Sequence, residues 1–198
     1  MSRLALFAAA LLFVPATASA QGMGDMGAMP EPAASADVIV PNRANTESRV
    51  SPNALASQTF GITMATVQYG RPSVRGREVF GGLVPFGEVW RAGANEATTL
   101  TLSGDAMVQG APVAAGTYAL FMIPMEGDTW TVVLNEAAEQ WGAYEYDADK
   151  DVARADVIVE TGRPVQEQLL MLFEEVSAEG ATLVLAWDDV RVPVRITL

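Results

Sequence analysis

The 198-residue chain contains no histidine and no cysteine, and only one of its twelve basic residues, Lys150, is a lysine. These absences remove whole classes of chemistry. Without His or Cys there is no Ser-His-Asp triad, no thiol nucleophile, no thiolate zinc site, no haem-attachment motif and no imidazole acid or base. Disulfides cannot form, so the core alone must stabilise the fold. Twenty-four acidic residues against twelve basic ones give a net charge of −12, and there is no polybasic run. Nucleic acid and anionic membrane surfaces are therefore disfavoured as partners. What remains for function is carboxylates, Arg, hydroxyls, aromatics and backbone.

The chain opens with Arg3, an apolar run from Leu4 to Val14, and the small-residue ending Ala18-Ser19-Ala20. That pattern predicts a signal peptide over 1–20, cleaved before Gln21. The apolar run has 11 residues, too short for the roughly 20 that span a bilayer, and no membrane span is expected after cleavage. The expected location is exported, periplasmic or extracellular. Residues 21–50 are rich in Met, Gly, Pro and Ala and read as a flexible tether. Met23, Met26 and Met29 recur in it every three residues, a spacing of soft ligands that would suit Cu(I), although a tether without a supporting fold favours solvated linker. Val38 to Val40 are open to an extended strand along the domain or to more tether.

From Ser51 the pattern is short alternating runs broken by Gly, Pro, Asp and Asn, and residues 51–198 are expected to form one domain. Strands are predicted at 62–69, 97–102, 116–123, 130–134, 152–160, around 169–173, and as a hairpin of 183–187 with 190–196 across Asp188-Asp189. The run 116–123 is apolar on both faces and is placed centrally. Pro193 lies on the outward phase of the last run, which argues for an edge strand because proline cannot donate to a ladder. Val84–Trp90 and Asn135–Gln140 are the best helical candidates, each no longer than about two turns. The expected fold is all-β, an antiparallel two-sheet β-sandwich with a long Gly/Pro/Arg-rich loop; a closed β-barrel is the alternative.

Residues 70–96 form that loop, and they carry Arg71, Arg75, Arg77 and Arg91 among Phe80, Phe86 and Trp90. In an acidic chain this points to an anionic or polyhydroxylated ligand held by guanidinium forks. The structural counter-reading pairs the arginines with Glu78, Glu88 and Glu96 and uses the aromatics to plug a sheet end. Trp141, Tyr144 and Tyr146 form a second aromatic group, suited either to stacking on a sugar ring or to core packing. Asp147, Asp149 and Asp151 match the first ligand spacings of a calcium loop, but Val152 and Ile158 stand where the loop needs Gly and Glu. No metal or other cofactor is expected.

Several blocks in order carry a resemblance: Tyr-Gly-Arg-Pro-Ser-Val-Arg-Gly-Arg at 69–77, the run from Phe80 to Thr98 with Trp90-Arg91-Ala92-Gly93-Ala94-Asn95-Glu96, Gly-Thr-Tyr-Ala-Leu-Phe at 116–121, and Trp-Gly-Ala-Tyr at 141–144. Residues 51–198 resemble the domain of unknown function 2911 family of exported bacterial proteins. The resemblance implies an extracytoplasmic domain, implies no reaction, and marks 90–96 as the signature. In that motif Arg91, Asn95 and Glu96 offer a guanidinium, an amide and a carboxylate within six residues. Two functions follow. One is a noncatalytic module binding a ligand or an envelope protein through 71–96, with Trp141, Tyr144 and Tyr146. The other is a carboxylate-dependent hydrolase or lyase, with carbohydrate as a conceivable substrate, in which Glu96 is the acid or base, Glu88 or Asp147 its partner, and Arg91 the charge stabiliser.

Overall fold

The computed structural model describes residues 48–198. The expectations for the signal peptide, the three tether methionines and Val38–Val40 lie outside the described residues.

Among the described residues eleven strands build two antiparallel sheets. They are β1 (Asn53–Phe60), β2 (Thr63–Gly70), β3 (Thr99–Leu102), β4 (Ala106–Val108), β5 (Ala111–Val113), β6 (Gly116–Ile123), β7 (Thr129–Asn135), β8 (Asp151–Ile158), β9 (Gln166–Glu174), β10 (Gly180–Asp188) and β11 (Val190–Thr197). The larger sheet runs β1-β2-β3-β6-β7-β8 and the smaller β5-β4-β11-β10-β9. Neither sheet closes on itself, so the barrel alternative is excluded and the sandwich stands. The core lies between the sheets, where Val67, Leu100, Leu120, Met122 and Leu134 meet Leu169, Met171, Leu183, Leu185, Val192 and Val194. Period-2 alternation delivers these residues to one side of each strand. The Tyr69 hydroxyl stitches the layers together, accepting from the Met171 amide at 2.8 Å.

The run 116–123 is indeed interior, between β3 and β7. Its two apolar faces serve two cores: Leu120 and Met122 point between the sheets, while Ala119, Phe121 and Ile123 join Ala97 and Val133 in a small outer cluster covered by Val89, Ala143 and Tyr146. The hairpin β10–β11 forms with Trp187 opposite Val190, as the alternation predicts.

Two expectations are corrected. β11 is not an edge strand, because β4 pairs with it at Ile196 and Thr197. The amides of Arg191 and Arg195 both face away from β10, one to the Glu160 carbonyl and the other to the Gln109 side chain. Amides two apart along a strand point the same way, so the donor missing at Pro193 falls in the gap between these contacts. The proline reported a local gap in the ladder, not the edge of a sheet. Nor do Val84–Trp90 and Asn135–Gln140 form helices; the described residues hold only one 3-10 turn, Ala148–Lys150. Gly87 at φ +78° breaks the first stretch, and the Asn135 side chain captures the Ala137 amide at 3.0 Å and turns the second. Among the described residues no helix is long and apolar enough to cross a membrane.

Candidate functional site

The segment between β2 and β3 is a fixed structure. Trp90 exchanges both backbone hydrogen bonds with Met122, at 2.8 and 2.9 Å, so the residues around it extend the sheet alongside the far half of β6. Strand alternation then sends the Trp90 side chain inward and Val89 and Arg91 outward. Trp90 stacks on Trp187 at 5.8 Å, with Phe80 edge-on to Trp90, Trp130 and Trp187. Trp90 is thus a core residue, 7 % exposed.

Beyond Trp90 the chain makes a tight turn with Ala92 and Asn95 at positive φ, 51° and 66°. Ala92 in this region is strained, and local bonds hold it: its carbonyl accepts from Thr98 Oγ1 at 3.0 Å, and the Gly93 carbonyl accepts from Trp90 Nε1 at 3.3 Å. Asn95 Nδ2 donates to the Ser51 carbonyl at 2.9 Å, and the Asn95 carbonyl receives the Gly142 amide. The Glu96 carboxylate accepts from Arg49 Nη1 through both oxygens, at 2.8 and 2.7 Å. That bond holds the Arg49 guanidinium above its ordinary pKa. Arg49 also lies 5.9 Å from the Trp141 ring centre.

The arginines part company. Arg71 Nε donates to the Leu169 carbonyl, and Arg77 to the carbonyls of Val74 and Ser73. Arg75 is exposed, at φ 52°, with its amide on Glu167. None of the three forms an ion pair with Glu78 or Glu88. Arg91 is different in kind. Its Nε is shielded from solvent and meets no hydrogen-bond acceptor among the described residues. Burial lowers its pKa, opposed in part by nearby Tyr144. Arg91 lines a pocket of about 140 Å³ with Leu83, Val84, Pro85, Glu88, Val89, Trp90 and Ala143. Glu88 stands on the wall of that pocket without pairing to Arg91. Asn95 and Glu96 are not among its lining residues, so the three-residue clamp does not assemble there.

Of the second aromatic group, Trp141 is 56 % exposed and Tyr144 86 %. Both flank Ala143 on the turn that walls the Arg91 pocket. Tyr146 instead covers the outer cluster, edge-on to Phe121. Its hydroxyl donates to Asp151 Oδ2 at 2.6 Å and accepts from Arg154 Nη1 at 3.1 Å. Asp151 also accepts from Asn135 Nδ2, a fully buried amide that ties the 136–150 excursion to β7. Asp147 caps the 3-10 turn through the Asp149 amide. Asp147 and Asp151 therefore do separate structural work, Asp149 contributes its backbone amide, and among the described residues no three acidic side chains gather to hold a metal.

Burial, with the Asp151 bond and charge added, raises the Tyr146 hydroxyl to about 12. A pKa raised on folding contributes stability below the unfolded value near 10, which is lost as pH climbs through the folded one. Stability is therefore expected to fall between about pH 10 and 12, and Tyr146→Phe to flatten that slope, as read by urea unfolding across this range. An unchanged slope in the variant would contradict the assignment.

The family model for the protein of unknown function DUF2911 matches residues 51–196. The chain belongs to this family. The match takes in all eleven strands except Thr197, and with them the Trp90–Glu96 turn and the Arg91 pocket. No curated protein and no solved structure matches the chain.

Sequence reasoning missed Arg49, assigned to the end of the tether, and Asn135. No local motif marks either residue, because their roles depend on partners 47 and 16 positions away.

Proposed function

We propose that this DUF2911 domain is an exported, noncatalytic module that binds a small anion at Arg91. One observation carries the reading: a half-buried guanidinium whose shielded Nε has no acceptor among the described residues, on the wall of a small cavity. A solvent-shielded N–H donor left without an acceptor is costly unless something completes it. Carboxylate, phosphate or sulfate fits a guanidinium fork with charge-assisted bonds. The exposed Trp141 and Tyr144, on the same turn as the lining residue Ala143, support a ligand with a body beyond the anion. The hydrolase or lyase reading needs Glu96 as its base, and both oxygens of that residue are bonded to Arg49.

The test is thermal shift and calorimetric titration with acetate, phosphate and sulfate. A binding anion at a hundredfold excess over its Kd adds about 2.7 kcal/mol of stability. Arg91→Met is expected to abolish that response and, without anion, to be about 1–3 kcal/mol more stable than the parent, since the unpaired buried group is gone. Anion responses equal in parent and Arg91→Met, or none in the parent, would refute the proposal.

A further inference from the structure

On the other side of the Pro85-Phe86 turn from Arg91 lies a second, larger cavity of about 600 Å³. Its walls are Phe80, Phe86, Met125, Trp130 and Val190, with Asp128 at its polar end. Phe80 and Trp130 meet edge to face at 4.7 Å and form a rigid corner. Trp130 is anchored through Nε1 to the Met125 carbonyl at 3.1 Å, which ties down the β6–β7 connection that carries Met125. Phe86 closes the third side. Its ring rests on Gly81, where a Cβ would come within 2.8 Å of it, so only glycine lets the ring settle there. Phe86 and Met125 nevertheless remain 38 % and 44 % exposed.

The charge of this cavity decides its occupant. No basic residue lines it, Asp128 does, and Glu126 extends the same turn. The arginines next to its lining residues, Arg163 near Thr161 and Arg191 beside Val190, are already paired, the first with Glu160 and the second with Glu160 and Glu174. Aromatic faces carry negative electrostatic potential and attract cations, most strongly where water is excluded. The exposed Phe86 ring, backed by Phe80 and the edge of Trp130, a thioether and one carboxylate therefore select positive charge spread over an apolar body. We infer that this cavity binds an organic ammonium cation, its methylated head against Phe80, Phe86 and Trp130 and its charge balanced by Asp128. The site differs from the Arg91 pocket in both location and sign, and it stands whether or not that pocket binds an anion.

The experiment uses acetylcholine as the cationic probe and 3,3-dimethylbutyl acetate, in which carbon replaces the charged nitrogen, as its neutral isostere. Binding is followed by tryptophan fluorescence and by saturation-transfer NMR on the full chain. Saturable acetylcholine binding is expected, with the isostere weaker by about fivefold, the upper end of what a cation over an exposed ring provides. Phe86→Ala and Asp128→Asn each replace a side chain at the rim, and each should weaken acetylcholine severalfold. Arg91→Met should leave it unchanged. Circular dichroism of each variant confirms folding, and either variant alone suffices. Absence of saturable binding at millimolar concentrations, equal binding of the isostere, or affinity unaffected in both folded rim variants would overturn the inference.

Discussion

Replacing Trp187 by alanine is expected to remove about 3–5 kcal/mol of stability, the range for deleting a large aromatic from a close-packed core. Trp187 is 1 % exposed, stacks on Trp90 from the opposite sheet and takes the edge of Phe80. It therefore joins the smaller sheet to the segment that carries Arg91. Its Nε1, however, is buried with no acceptor among the described residues. Trp187→Phe opens a smaller cavity and also removes that unsatisfied donor, a group that costs about 1–3 kcal/mol when left unpaired. The phenylalanine variant should thus lose less than half of what the alanine variant loses. Urea unfolding of the three proteins decides the matter; equal losses would show that the indole nitrogen is satisfied in solution.

The second large effect is expected at Gly70, where β2 runs beneath the 91–96 turn. A Cβ there would stand 2.2 Å from the Ala94 carbonyl oxygen and 3.2 Å from Asn95 Nδ2. Backbone cannot yield as a flexible side chain can, so Gly70→Ala should cost about 3 kcal/mol or more. Gly87 provides the contrast. An added Cβ meets nothing within 4 Å, and only its φ of +78° resists substitution, a penalty of about 1–2 kcal/mol. The two variants also separate function from stability. Gly70→Ala displaces the turn from which Arg91 emerges and should weaken any anion response, whereas Gly87→Ala should lower the melting temperature modestly and keep it. Similar losses in the two variants would contradict the close approach of β2 to the turn.

Much of the scaffold was legible because alternation reports burial directly. The β10–β11 hairpin and the two-faced character of β6 both follow from which positions are apolar. The parts not anticipated have weak local signals. β1 alternates small and polar residues around an exposed Leu55. β4 and β5 are three residues each, joined by Gln109-Gly110, both at positive φ, 49° and 80°; glutamine at the first position hides a turn that asparagine would have advertised. At the site, the sequence groups Arg91 with Asn95 and Glu96 because they are neighbours in the chain. Strand extension at Trp90 and the positive φ of Ala92 turn them to different partners, a consequence of backbone geometry that residue types alone do not encode.

The two sheets draw on the chain very unequally. Every strand of the larger one lies within residues 53–158, whereas the smaller unites β4 and β5 with strands from 166–197. As the polypeptide emerges, the first layer can zip by neighbouring hairpins while Leu100, Leu120 and Leu134 stay wet. Their cover arrives only with the final stretch, whose Ile196 must reach back to Val108. Such distant closure is slow and leaves a sticky half-built face, so the domain stays exposed to aggregation until its last two strands are available.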